Sequence, residues 1–190
     1  MKIETIPIEV KIIKFNFSFH KTIKKELLNE IDKVKKIDLK RNPDQTRISY
    51  CDWDNRKDFN RNWYKLIKIP LSIAFTQTAN QLNFFNYLLQ DIWYQQYEKN
   101  DCHNWHIHSD NYTGVYYVEY DKNCKTELYD PVKNKKFYLE AKEGDLVFFP
   151  SFIIHRSPMK KESKRKTIIS WNLNFELIDN DFFNKLNEIK

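Results

Sequence analysis

The chain has little cysteine. Cys51, Cys102 and Cys124 are an odd, widely spaced set without a C-x-x-C pair, which argues against a disulfide framework or a thiolate zinc site and points to a reducing, cytosolic setting. Long apolar runs are also missing. The N-terminus alternates Ile3, Ile6, Ile8 and Val10 with charge, lacks the apolar core of a signal peptide, and is followed by no stretch long enough to span a bilayer. No targeting segment and no membrane partner are expected. Glycine is nearly absent, with two residues against nineteen asparagines, a bias we attribute to an A+T-rich bacterial or phage genome before any functional cause. Repeats and low-complexity tracts are lacking too.

What is present suffices for one core. Apolar residues make up 41% and aromatics 16% of 190 residues, so a single domain over residues 1–190 is expected rather than a disordered chain. The net charge of +6 would help an acidic partner approach without identifying one.

Periodicity divides the chain into three parts. Residues 1–87 read as an N-terminal strand and helical support. Residues 3 to 17 alternate as a half-buried strand, and in residues 22 to 36 Ile23, Leu27, Ile31 and Val34 form the apolar stripe of an amphipathic helix. His20, just before it, reads as a solvent-exposed or capping residue. Residues 38 to 64 read as a polar loop pinned by Trp53, Phe59, Trp63 and Tyr64, able to flank a pocket, and Pro70 suits the first turn of a helix reaching about residue 86. Residues 88–176 change to a period of two and predict seven or eight short strands, with a polar helix in 177–190. The fold class expected is α+β, mainly β: a double-stranded β-helix (jelly roll, cupin-like) with N-terminal helices packed on one sheet.

The chemistry concentrates between residues 105 and 172. Alternating side chains share one face of a strand, so His106, His108 and, if the extended backbone persists, Asp110 can enter one cavity. A ferrous ion that activates O2 takes two imidazoles and a carboxylate on one face, leaving positions for cosubstrate and oxygen. His108-Ser109-Asp110 supplies H-x-D, and His155 follows 47 residues later. Arg165, ten residues beyond His155, opens a strand and can clamp a distal carboxylate bidentately.

Gly114-Val115-Tyr116-Tyr117-Val118, Gly144-Asp145-Leu146-Val147-Phe148-Phe149-Pro150-Ser151, His155-Arg156-Ser157-Pro158 and the stretch from 165 to 172 resemble the 2-oxoglutarate/Fe(II)-dependent dioxygenases. Within that family the likeness is to phage-type oxygenases and, more distantly, to prolyl hydroxylases, and it covers roughly residues 88 to 176. The resemblance implies Fe(II) as cofactor and 2-oxoglutarate and O2 as cosubstrates. It implies iron held by His108, Asp110 and His155, and Arg165 on the 2-oxoglutarate C5 carboxylate, with Tyr117 and, less directly, Tyr97 in the cosubstrate pocket. Two points stay open. The phage-type W-H-x-H pattern makes His106 an alternate ligand to Asp110, and aligning Ile169-Ser170-Trp171-Asn172 makes Lys166 an alternate to Arg165, since neighbours on a strand face opposite ways.

The function so implied is hydroxylation of an unactivated C–H, on a prolyl or other amino-acid or peptidyl substrate, releasing succinate and CO2 in a bacterial or phage-infected cytosol. The alternatives are a nucleic-acid dealkylase of the same superfamily, suggested by the basic run at 160 to 166 and by Lys133, Lys135 and Lys136, and a non-catalytic cupin-like binding module.

Overall fold

In the computed structural model the described residues are 9–34, 37–41 and 46–178, with side chains described for 9–34 and 46–176. They form β1 (Ile13–Asn16), α1 (His20–Lys33), β2 (Ile37–Arg41), β3 (Thr46–Cys51), a 3-10 turn (Trp53–Asn55), α2 (Asn62–Gln81) and β4 (Phe84–Tyr97). Then come β5 (Cys102–His106), β6 (Tyr112–Glu119), β7 (Glu127–Asp130), β8 (Lys135–Tyr138), β9 (Asp145–Pro150), β10 (Ile154–Ser157) and β11 (Lys166–Ile178). The expected C-terminal helix and residues 3 to 8 of the expected first strand lie outside the described residues.

Every strand pairing among the described residues is antiparallel. The order is β1-β9-β6-β11-β4-β3-β5-β10-β7-β8, with β2 on β3. β3 is the corner: Tyr50 and Cys51 pair with β4, while Thr46 and Arg47 pair with β5. The sheet therefore curls back on itself as a jelly roll, and each strand has an inner and an outer face.

Alternation decides which residues go where. On β4, Ile92 and Tyr94 join the outer core while Trp93 and Tyr97 join the inner one. On β6, Tyr116 and Val118 point out and Val115 and Tyr117 point in. The outer core is closed by the helices: Leu27 and Ile31 of α1 and Trp63, Ile67, Leu71 and Phe75 of α2 pack on Phe148, Ile169 and Trp171. Gly114 permits this packing, since a Cβ there would lie 2.6 Å from the Trp171 ring.

Several local expectations change. α2 begins at Asn62, so Pro70 sits inside the helix rather than in its first turn. The lost hydrogen bond is tolerated because eight buried residues between Trp63 and Ala79 hold the helix on the sheet. The stretch read as a loop contains β2, β3 and a buried clasp. Asp52 accepts hydrogen bonds from Arg61 at 2.5 Å, Trp63 Nε1 at 3.0 Å and the Tyr94 amide at 2.8 Å. His20 is buried within α1, its Nδ1 2.7 Å from the Tyr116 hydroxyl, because the helix start packs on β6. No helix among the described residues is long and apolar enough to cross a membrane.

Candidate active site

The inner face of the curl narrows to a cavity at one end, lined by Trp93, Gln95, Tyr97, Val115, Phe149 and Ile168 and by four of the five histidines of the chain. Strand register brings the histidines together. His155 on β10 is the Cα partner of His106 on β5, which sets their side chains about 5 Å apart at the root. His108 follows β5 and is fixed by its amide donating to the Ser151 carbonyl at 3.1 Å. One ring nitrogen from each of His106, His108 and His155 lies within 4.8 Å of the others, a spacing that can hold one metal ion.

Protonation suits that use. The His106 Nδ1 faces the Asn104 carbonyl at 2.7 Å and the His155 Nδ1 faces the Ile153 carbonyl at 2.8 Å. Each nitrogen must carry the proton to make that bond, which leaves the Nε2 lone pair free for a metal. The His155 and His108 Nε2 atoms are 3.3 Å apart, closer than two unprotonated nitrogens rest without a proton or cation between them. Burial pushes all three imidazoles below their ordinary pKa, His108 to about 4, so they are neutral near pH 7. Trp93 stacks on His108 at 5.9 Å, and Trp53 of the 3-10 turn stands edge-on to Trp93 at 4.6 Å.

Asp110 does not join this cluster. The extended backbone ends at His106 and bends at residues 109 to 111, so the condition that would carry Asp110 to the same face fails. Its carboxylate instead accepts from Asn174 Nδ2 at 3.2 Å and from Ser109 Oγ at 3.4 Å, in a neighbouring groove.

The two candidate cations face opposite ways. Arg165 points outward and is paired with Glu119 at 2.7 Å and Asp32 at 3.1 Å. Lys166 shares the inner face of β11 with Ile168 and Ser170, is fully buried, and donates to the Cys124 carbonyl at 2.8 Å and Ser157 Oγ at 3.0 Å. Its ammonium lies 5.4 Å from the centre of the Tyr97 ring, and no carboxylate among the described residues is within ion-pair distance. Burial lowers its pKa, partly offset by Cys124 and Asp121.

Tyr97 lines the cavity and its hydroxyl donates to Gln95 Oε1 at 3.2 Å. Tyr117 is buried behind Thr126, hydroxyl to hydroxyl at 2.9 Å. Sequence reasoning passed over His103, which stacks on His106 with ring centres 3.8 Å apart, and Ser157, two residues beyond His155 on the same face. Period-two counting on from His155 would have found Ser157; nothing in the sequence signals His103.

The basic run at 160 to 166 is divided between surface and interior, with Lys161 and Lys164 exposed. Lys160 is fully buried in an ion pair with Asp121 at 3.2 Å, Arg165 is paired and Lys166 lines the interior.

Residues 91–172 match the model of a protein family described as "Putative 2OG-Fe(II) oxygenase". Among curated protein sequences none matches this chain. Solved structures share the fold at low identity. A viral collagen prolyl hydroxylase from Paramecium Bursaria Chlorella virus-1, solved with 2OG, is 16% identical with a TM-score of 0.62, over 85% of this chain and 94% of that one. A Trichoplax adhaerens prolyl hydroxylase bound to a hypoxia inducible factor peptide fragment is 19% identical with a TM-score of 0.57, over 86% and 83%. HygX from Streptomyces hygroscopicus, with nickel and 2-oxoglutarate bound, is 8% identical with a TM-score of 0.61, over 87% and 83%. Over residues 91–172, the stretch that carries all three clustered histidines, the chain thus has the sequence pattern of the 2OG-Fe(II) oxygenases, a family named for ferrous iron and 2-oxoglutarate.

Proposed function

We propose that the chain is a single-domain hydroxylase of an amino-acid or peptidyl substrate, a prolyl side chain included, with iron held by His106, His108 and His155. The observation that carries the ligand set is the convergence of three neutral imidazoles whose ring nitrogens lie within 4.8 Å of one another, two with the second nitrogen fixed by a backbone carbonyl. The donor set fits Fe(II), for which imidazole is a suitable ligand. When bound, iron with 2-oxoglutarate supplies the oxidising power that puts one oxygen atom of O2 into a C–H bond and the other into succinate, with release of CO2.

The protein's own residues bind, orient and exclude water. Lys166 is the cation for the distal carboxylate of 2-oxoglutarate, because it is buried, faces inward and has no acidic partner among the described residues. Ser157 and Tyr97 flank that ammonium. Arg165 ties β11 to Glu119 and α1 and takes no part in the cavity. Tyr117 supports Thr126, which forms part of the wall. The cavity that Tyr97, Thr126 and Ser157 help to line has a void of about 40 Å3, and Lys166 lies directly behind Ser157 and Tyr97. Trp93, Phe149 and Ile168 keep the walls apolar. No side-chain base is needed, since the cofactor pair carries the oxidation and the protein supplies position.

The prolyl hydroxylase folds among the neighbours support the amino-acid or peptidyl substrate class, while in the basic run Lys160 and Lys166 are buried and Arg165 is paired with acidic residues, which reduces the charge left for a nucleic-acid surface there. The test is succinate formation from 2-oxoglutarate in air with Fe(II). Slow succinate release that requires iron, and that is lost in His155→Ala together with iron retention, is the expected result. Absence of iron binding by the wild-type chain would leave a cupin-like module without turnover.

A further inference from the structure

A second cavity opens beside the histidines, and His108 lines both. It is a groove of about 590 Å3, within the range of sites for small organic ligands. Its walls are mainly apolar: Phe84, Ile107, Tyr112, Pro150 and Phe152, of which Ile107 is 57% and Phe152 60% exposed. Exposed aliphatic and aromatic groups beside a reaction centre are places to seat the body of a substrate. Glu9 and Lys11 at the edge carry opposite charges.

One feature does not suit an apolar ligand. Among the described residues Asp110 sits in this groove with an amide and a hydroxyl as its donors, from Asn174 at 3.2 Å and Ser109 at 3.4 Å, and with no cation within ion-pair distance. Covering it with a purely apolar group would strip water from a carboxylate without return, and an anion would be repelled. A nitrogen cation would restore what is lost and gain a charge-assisted hydrogen bond. Position adds to this. Asp110 lies two residues from His108, a chain distance of about 7 Å at full extension, so a cation on it leaves aliphatic carbons a few bonds away in reach of the metal centre.

We propose that the substrate is an aliphatic compound bearing an ammonium or guanidinium group, and that Asp110 holds that cation while the apolar groove seats the carbon chain. This rests on the reading above in which the three histidines hold iron and Asp110 is left free. The cation has two possible sources, the amino group of a free amino acid such as proline or lysine, and the basic side chain of a peptide.

The experiment measures substrate-stimulated succinate formation by the Fe(II)-loaded protein. The panel is free L-proline, free L-lysine, their Nα-acetyl derivatives, and N-acetylated, C-amidated tripeptides with lysine, arginine, norleucine or glutamate at the centre. Cationic members should stimulate with a KM at least about tenfold lower than norleucine or glutamate. Loss of stimulation on Nα-acetylation of proline assigns the cation to a free amino group, and retention in the lysine or arginine tripeptide assigns it to a side chain. Asp110→Asn, which keeps the shape and the bond from Asn174, should erase the charge preference while Fe(II) and 2-oxoglutarate still bind, read anaerobically from the visible absorption band. Equal use of norleucine, a preference for glutamate, or no stimulation by any member would overturn the proposal while leaving the oxygenase reading intact. If Asp110→Asn loses iron, Asp110 is a ligand and the proposal fails with the three-histidine assignment. If the wild type itself binds no iron, both readings fail.

Discussion

The cosubstrate cation is the sharpest point at which neighbouring residues make opposite forecasts. In Lys166→Met the aliphatic stem stays and the ammonium goes. The hydrogen bonds to the Cys124 carbonyl and Ser157 are lost within the protein, and so is the group proposed to meet a carboxylate. A hydrogen bond to a charged partner contributes about 1.5–3 kcal/mol, so 2-oxoglutarate affinity should fall by about 10- to 150-fold. Stability should change less, because removing a desolvated charge offsets the unpaired carbonyl. Arg165→Met removes partly exposed ion pairs with Glu119 and Asp32, worth about 1 kcal/mol or less each, and should leave 2-oxoglutarate affinity within twofold. The assay is an anaerobic titration of the iron-loaded protein with 2-oxoglutarate, following the visible charge-transfer band, with iron content and thermal melting checked for each variant. A large loss of affinity in Arg165→Met with little change in Lys166→Met would refute the facing inferred from β11.

Further expectations follow from the same geometry. Because burial lowers the Lys166 pKa, its charge is lost as pH rises through a value below the ordinary 10.5, and 2-oxoglutarate affinity should decline there in the wild type and stay flat in Lys166→Met. The folded pKa of His108, about 4, lies below its unfolded value of 6.5, so the unfolded chain takes up its proton first. Metal-free protein should therefore keep this stability above pH 6.5 and lose it on acidification toward pH 4, as urea midpoints across that range would record. Gly114→Ala places a carbon 2.6 Å from the Trp171 ring and should cost about 1–3 kcal/mol, or roughly 2–12 °C in Tm by calorimetry. His103→Leu keeps the bulk stacked on His106 but not the ring face, and should weaken iron retention severalfold by loosening that ligand, which iron-release rates with a chelator would show.

Much of the fold was legible because alternation is a local signal. The strand at 127 to 130 was read with the bounds it has, and the neighbouring ones to within two or three residues, since turn residues such as Pro131 to Asn134 and Glu143 to Asp145 bracket short β-prone runs. β10 was not anticipated: four residues with His155 at the centre and a bulge toward β5 carry too little pattern. The helix register around Pro70 was misread because a local propensity outweighed a tertiary one, the burial of Trp63 and Ile67 ahead of it.

The site was legible as a set of residue types but not as a choice among them. His106, His108 and His155 were all in view, and the choice between His106 and Asp110 depended on where extension stops, which a bend at 109 to 111 decides. Choosing Lys166 over Arg165 required the phase of β11, set by Trp171 packing outward under the helices. His103 could not be inferred from spacing, because its approach to His106 arises from crowding at the pairing of β5 with β3 and β10.

The central claim is that three imidazoles, and no carboxylate of the chain, hold one ferrous ion. An anomalous-difference map at the iron edge, from crystals loaded with Fe(II) under argon, tests it directly. The account predicts a single peak about 2.1 Å from the Nε2 atoms of His106, His108 and His155, with Asp110 uncoordinated. A peak bound by the Asp110 carboxylate, or no peak between these histidines, would contradict it.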